Sequence, residues 1–234
     1  MLHSADGTVV VKHRLGNAFG ILRLVFVTCL TAHALQAYQY PLPPDAVREA
    51  YVLGRRNDRA TAHFLAPYIS PCTGPEVSCY VAQVKILTPF ARIIDLTRRN
   101  ASRGYTEQQA LKDYQQKGDT LDVQIRLVLP AAYKARESNR GQNPPGMNTA
   151  LRPENFWQGF RFDLKQGARV VAPRSTHSKP IYSMPAKGKS SVLDGANVVL
   201  VYSVKEIASE EATIEIRTPE LKTITFVFDL KQLR

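Results

Sequence analysis

Between Leu121 and Leu129 every second residue is apolar: Leu121, Val123, Ile125, Leu127 and Leu129 alternate with Asp122, Gln124 and Arg126. A period of two puts the two sets on opposite faces of an extended chain, so this stretch is a half-buried β-strand and offers no single apolar stripe to a helix. The same pattern recurs from Tyr80 to Leu87, with Tyr80, Ala82, Val84 and Ile86 on one face and Gln83 and Lys85 on the other. It returns in Phe160 to Leu164; a short apolar strand, Ala168 to Ala172, follows, and Val198 to Val204 is a continuous apolar run of strand length that is expected to be buried on both faces. A terminal hairpin closes the series: Ile214 and Ile216 face inward, Thr218-Pro219-Glu220-Leu221 turns, and Ile224, Phe226, Phe228 and Leu230 return.

Helical signals are gathered early. Asp45 is a candidate N-cap for a helix reaching Arg56, with Val47, Ala50, Tyr51 and Leu53 as its stripe. A second short helix starts at Asp58 and stops before Pro67; its His63 has no partner at helical spacing and reads as a packed or surface residue. Thr88-Pro89 opens a third, which carries Phe90, Ile93 and Ile94 inward and Arg92, Asp95, Arg98 and Arg99 outward. The capping-box pattern Thr106-Glu107-Gln108-Gln109 opens a fourth, closed by Gly118. About seven strands joined mainly by turns, with helices first, predict an α+β domain: an antiparallel β-sandwich-like core with an N-terminal helical region packed on it. Its boundaries are residues 38–234, helix-rich over 44–118 and strand-rich over 119–234.

Residues 1–37 read as a signal peptide. Lys12, His13, Arg14 and Arg23 precede an apolar run beginning at Leu24, and small residues close it, with cleavage after Ala34 or after Ala37. The expected location is therefore secreted or periplasmic. A single-pass anchor formed by residues 19–37 is the alternative, in which the membrane is met only through an uncleaved N-terminus. That run is short and interrupted by Arg23, Thr28, Thr31, His33 and Gln36 for a span of roughly 20 apolar residues. Cys72 and Cys79, the two cysteines after residue 37, flank a Gly-Pro turn and read as a short-loop disulfide. A zinc site would need further soft ligands, and only His63 and His177 remain, so no metal and no cofactor is expected.

The whole chain carries 31 basic and 20 acidic residues. Losing Lys12, Arg14, Arg23 and Asp6 with the leader leaves 28 against 19, a net charge of +9 that favours anionic partners. The charge is spread rather than blocked, which is also what a solvated surface looks like. Two stretches concentrate it. Arg98, Arg99 and Arg103 cluster at the end of the third helix, and residues 174–191 form a basic loop without an acid, carrying Arg174, His177, Lys179, Tyr182, Lys187 and Lys189. Both are expected to be mobile or solvated surface unless an anion or partner meets them, and together they are the candidate binding residues. A second long aperiodic stretch, 130–155, is expected to be a mobile loop.

Dinucleotide, P-loop, nucleophile-elbow and His-Glu-x-x-His motifs are all absent from the sequence, which removes the usual support for those chemistries. Basic and aromatic residues are not interleaved as in nucleic-acid readers, so no nucleic acid is expected. The reading is a non-catalytic exported module that binds a partner protein or an anionic envelope polymer through its loops. The alternative is a carboxylate-dependent hydrolase acting on cell-wall or extracellular glycan, because paired carboxylates leave no trace in sequence spacing.

Overall fold

The computed structural model describes residues 40–72, 80–129, 155–183 and 192–234, all within one unit, Ala37–Arg234. Helix α1 (Pro44–Arg56) starts with Pro44 at its first position, where a missing N–H costs nothing. Its N-cap is Pro43, two residues earlier than the expected Asp45, and Asp45 sits in the first turn against the positive end of the helix dipole. Helix α2 (Arg59–Leu65) is capped by Asp58, whose carboxylate accepts from the Thr61 amide at 2.9 Å. Helices α3 (Pro89–Asn100) and α4 (Glu107–Lys117) begin at Thr88 and Thr106, whose hydroxyls accept from the Ala91 and Gln109 amides. Gly54 of α1 lies against α3, where an added Cβ would stand 2.7 Å from Thr97 Cβ and 2.8 Å from Ile94 O. Glycine is thus what lets the two helices approach.

The strands are β1 (Ile69–Pro71), β2 (Val81–Leu87), β3 (Thr120–Val128), β4 (Arg161–Gln166), β5 (Arg169–Val171), β6 (Ser175–Ser183), β7 (Val192–Ser203), β8 (Glu211–Arg217) and β9 (Thr223–Asp229). They form two antiparallel sheets, a five-stranded one in the order β1-β2-β3-β7-β6 and a four-stranded one in the order β5-β4-β8-β9. The chain is α+β and sandwich-like, with its helices first. Nine strands replace the expected seven or so: β1 is new, and β6 replaces most of the basic loop expected over 174–191. Pairing along β7 from Ser175 to Ser183 makes those residues a strand. Sequence periodicity misses it because β6 is a sheet edge with most of its residues exposed on both faces, so no apolar alternation is imposed. The expected disulfide involves Cys79, and the loop over 130–155 falls almost wholly on 130–154; both lie outside the described residues.

One core cluster joins the helices and both sheets. The five-stranded sheet supplies Val84, Ile86, Val123, Ile125, Val198 and Leu200, aligned in register across β2, β3 and β7. The four-stranded sheet supplies Leu164, Ile214, Ile216, Phe226 and Phe228. Burying each such side chain contributes about 1.5–3 kcal/mol before chain entropy is subtracted. Tyr80 ties the sheets together: its ring meets Phe160 edge-on at 5.8 Å, and its hydroxyl donates to Glu220 in the β8–β9 turn at 3.1 Å.

Tyr202, fully buried opposite Leu121 in β7, has a hydroxyl with no hydrogen-bond partner among the described residues. Burial, and then the nearby Asp163 carboxylate, push its ionisation well above the ordinary value of 10.0. The unfolded chain releases that proton near pH 10 and the folded chain resists, so stability is full below about pH 10 and falls as pH rises beyond it. Tyr202→Phe should therefore cost less than about 1 kcal/mol at pH 7, since no bond is lost, and should flatten the alkaline limb of a urea-denaturation series. A loss above about 2 kcal/mol at pH 7 would show that the hydroxyl is bonded after all.

Candidate functional site: a polar cleft on the five-stranded sheet

The alternation that buries one face of the five-stranded sheet sends polar residues to the other. Register then aligns them in rows. Gln83, Arg126, Asn197 and Lys179 stand opposite one another across β2, β3, β7 and β6. The next row is Lys85, Gln124, Val199 and His177. At roughly 4.8 Å per strand, each row spans about three strand spacings. Helix α3 returns from the end of β2 along this face and brings Asp95 and Arg99 to it.

The result is an elongated cleft of two joined lobes. The first, about 570 Å³, is lined by both rows together with Asp95 and Arg99. The second, about 510 Å³, lies toward α4 and is lined by Ile93, Leu96, Ala110, Tyr114, Asp113 and Gln116, among others. Arg99, Gln124, His177 and Val199 border both.

Its walls are held by two buried charge clusters. Asp95, only 6% exposed, meets Arg99 Nη2 at 2.7 Å and Lys85 Nζ at 3.8 Å. Arg92, also 6% exposed, donates to Gly118 O at 2.9 Å and Thr120 O at 3.1 Å, contacts the Thr120 hydroxyl, and faces Asp122 at 3.9 Å. Burial lowers the Arg92 pKa, and the Asp122 carboxylate opposes that shift. Lys117 closes the cluster on the other Asp122 oxygen. Beside it, the Tyr114 hydroxyl donates to Asp119 and accepts from the Leu42 amide at 2.7 Å, and its pKa is pushed up to about 12, first by burial and then by that carboxylate. The Tyr105 hydroxyl donates to Asp113 at 2.8 Å.

These clusters correct the expectation that Arg92 and Asp95 point outward with Arg98 and Arg99. Helical spacing places Arg92, Asp95 and Arg99 away from Phe90 and Ile94, but the sheet's polar face covers part of that side of α3. Asp122, only 2% exposed, is likewise a polar position on an alternating strand that ends up covered.

Of the residues singled out from sequence, Arg99, His177 and Lys179 meet in the cleft. Arg98 instead donates to Asn57 Oδ1 at 2.9 Å, joining α3 to the end of α1. Arg103 is exposed in the turn after α3, Arg174 precedes β6 with its amide on Val201 O, and Tyr182 lies past an irregularity in the β6–β7 register; none of the three lines the cleft. Lys187 and Lys189 lie outside the described residues. Sequence reasoning passed over Gln83, Lys85, Gln124, Arg126 and Asn197. Four of these were in view as the polar positions of β2 and β3; what was missing was the register that aligns them.

No protein-family model, curated protein or solved structure matches the chain. Function is therefore argued from the cleft alone. Among the described residues no group of His, Cys, Asp and Glu is arranged to hold a metal ion, and no helix is long and apolar enough to cross a membrane. Chemically the first lobe presents cations and several amides. Arg126 and Lys179 are exposed and make no ion pair among the described residues, whereas Lys85, Arg92, Arg99 and Lys117 are each committed to an aspartate. The buried carboxylates Asp95 and Asp122 are each already ion-paired with two cations, which suits a rigid wall better than a proton-transferring pair.

Proposed function

We propose that this domain is an exported, non-catalytic binding module that holds an anionic envelope polymer on the polar face of its five-stranded sheet. The observation that carries the reading is the row Gln83–Arg126–Asn197–Lys179. It places two uncommitted cations two strand spacings apart, with amide side chains beside and between them, along one wall of an open cleft. Charge-assisted hydrogen bonds to a ligand's acidic groups form there without first breaking an internal salt bridge. The recognition surface is the sheet face rather than a loop. The outer edge of β6 is a poorer candidate for adding a partner strand, because Lys179 and Pro180 interrupt it as natural sheets protect their edges.

The test is salt-dependent retention on immobilised heparin and polyphosphate. Combining Arg126→Gln with Lys179→Gln is expected to weaken binding about tenfold or more, the loss of one or two charge-assisted bonds of ~1.5 kcal/mol. Arg103→Gln with Arg174→Gln, the same charge removed outside the cleft, should change it far less. Equal losses from the two pairs would mean that only net charge matters and would end the site-specific reading.

Export is part of the proposal, supported by the three-part layout of residues 1–37. The mature protein is expected to begin at Leu35 or Tyr38, with neither Cys72 nor Cys79 alkylatable before reduction. Intact-mass analysis of the protein from its host tests both points. A cytosolic protein retaining Met1, with both thiols reactive, would overturn them.

A further inference from the structure

The two lobes of the cleft differ in chemistry, and the difference constrains what an anionic ligand carries besides its charge. The first lobe holds the uncommitted cations Arg126 and Lys179. Among the described residues the second holds none: Arg92 and Lys117, and Arg99 at its border, are all ion-paired with aspartates. Its floor is apolar, formed by Ile93, Leu96 and Ala110, and its rim offers the Asp113 carboxylate and the Gln116 amide. A chain bearing a negative charge at every unit would meet Asp113 there with no free cation to offset it. A neutral ring carrying hydroxyls fits instead. Its C–H face covers Leu96, its hydroxyls donate to Asp113, and Gln116 and Gln124 supply donors and acceptors of matching kind. At about 510 Å³ the lobe falls within the size of ordinary small-molecule sites.

Resting on the anion reading above, we infer that the ligand is an acidic glycan in which charged and neutral sugars alternate. The acidic group is held by Arg126 and Lys179, and the adjoining neutral ring lies in the lobe between α3 and α4. The protein, purified as its host produces it, is titrated by calorimetry with two probes of equal charge: an oligosaccharide alternating glucuronate with N-acetylglucosamine, and linear polyphosphate. The expected result is tighter binding of the oligosaccharide by about tenfold or more. Leu96→Trp, which fills the second lobe, and Gln116→Ala, an exposed change that leaves the packing alone, should each weaken the oligosaccharide several-fold and leave polyphosphate unchanged. Combining Arg126→Gln with Lys179→Gln should weaken both probes. If polyphosphate binds as tightly as the oligosaccharide and neither second-lobe variant matters, the glycan inference falls while the anion reading stands. If the wild-type protein binds neither probe, both fall together.

Discussion

Gly195→Val is expected to lower the melting temperature by about 6–12 °C or to abolish soluble expression. Gly195 lies in β7 directly opposite Val128 of β3, and a Cβ there would stand 2.1 Å from Leu127 O, 3.0 Å from Leu127 C and 3.2 Å from Val128 Cα. All three are backbone atoms of the central strand, so no side-chain rotation relieves the clash, and β3 and β7 must separate locally. Overpacking costs about 1–3 kcal/mol where side chains can give, and about 3 kcal/mol or more is expected where the obstacle is main chain. For a domain of this length each kcal/mol moves the midpoint by roughly 2–4 °C. The cleft should suffer too, because Ile181 of β6 pairs with Gly195 and lines the first lobe. A Gly195→Val protein melting within about 2 °C of wild type would show that the two strands are not packed at that spacing.

Arg92→Met is expected to destabilise the protein by about 3 kcal/mol, measured as a fall in urea midpoint at constant slope. The guanidinium donates to Thr120 O and, beside the Thr120 amide, to Gly118 O at the junction of α4 and β3, and it faces a carboxylate that is 2% exposed. Removing it takes the side-chain donor from Thr120 O, leaves Gly118 O with the Thr120 amide alone, and leaves Asp122 with Lys117 as its one cation. Breaking one side of a buried pair costs more than replacing both. The double change Arg92→Met with Asp122→Leu should therefore recover part of the loss, since Lys117, 39% exposed, can turn to water. If Arg92→Met costs under about 0.5 kcal/mol, or the double variant is worse than the sum of the two single ones, the buried cluster is not what anchors that junction.

The contrast between these two sites shows which features were legible. The alternation in β2, β3 and the β8–β9 hairpin identified strands and their inward faces, because a half-buried strand writes its environment into every second residue. Thr88, Thr106, Asp58 and Gly118 marked helix ends through hydrogen bonds that reach only three or four residues along the chain. Arg92 and Asp95 misled for the opposite reason. Helical spacing says which side of α3 faces Phe90 and Ile94, but not that a sheet lies over part of the other side. β6 was missed because an edge strand exposed on both faces carries no periodic mark, and its evidence is its partner, β7, whose paired residues lie 9 to 26 positions away.

The candidate site divides in the same way. Lys85, Gln124 and Arg126 were visible as outward positions on strands, and Lys179 and His177 as part of a basic stretch. That these fall into two rows, and that among the described residues only Arg126 and Lys179 of the cations bordering the cleft lack an aspartate, depends on antiparallel register and on where α3 packs. Short-range rules of spacing, capping and turn chemistry were sufficient for the class of fold, the helix starts and most strand faces, since each is set within a few residues. Strand order, the burial of Arg92, Asp95 and Asp122, and the grouping of distant polar residues into one cleft arise from contacts between segments tens of residues apart, and no local pattern encodes which of the possible pairings has the lowest free energy.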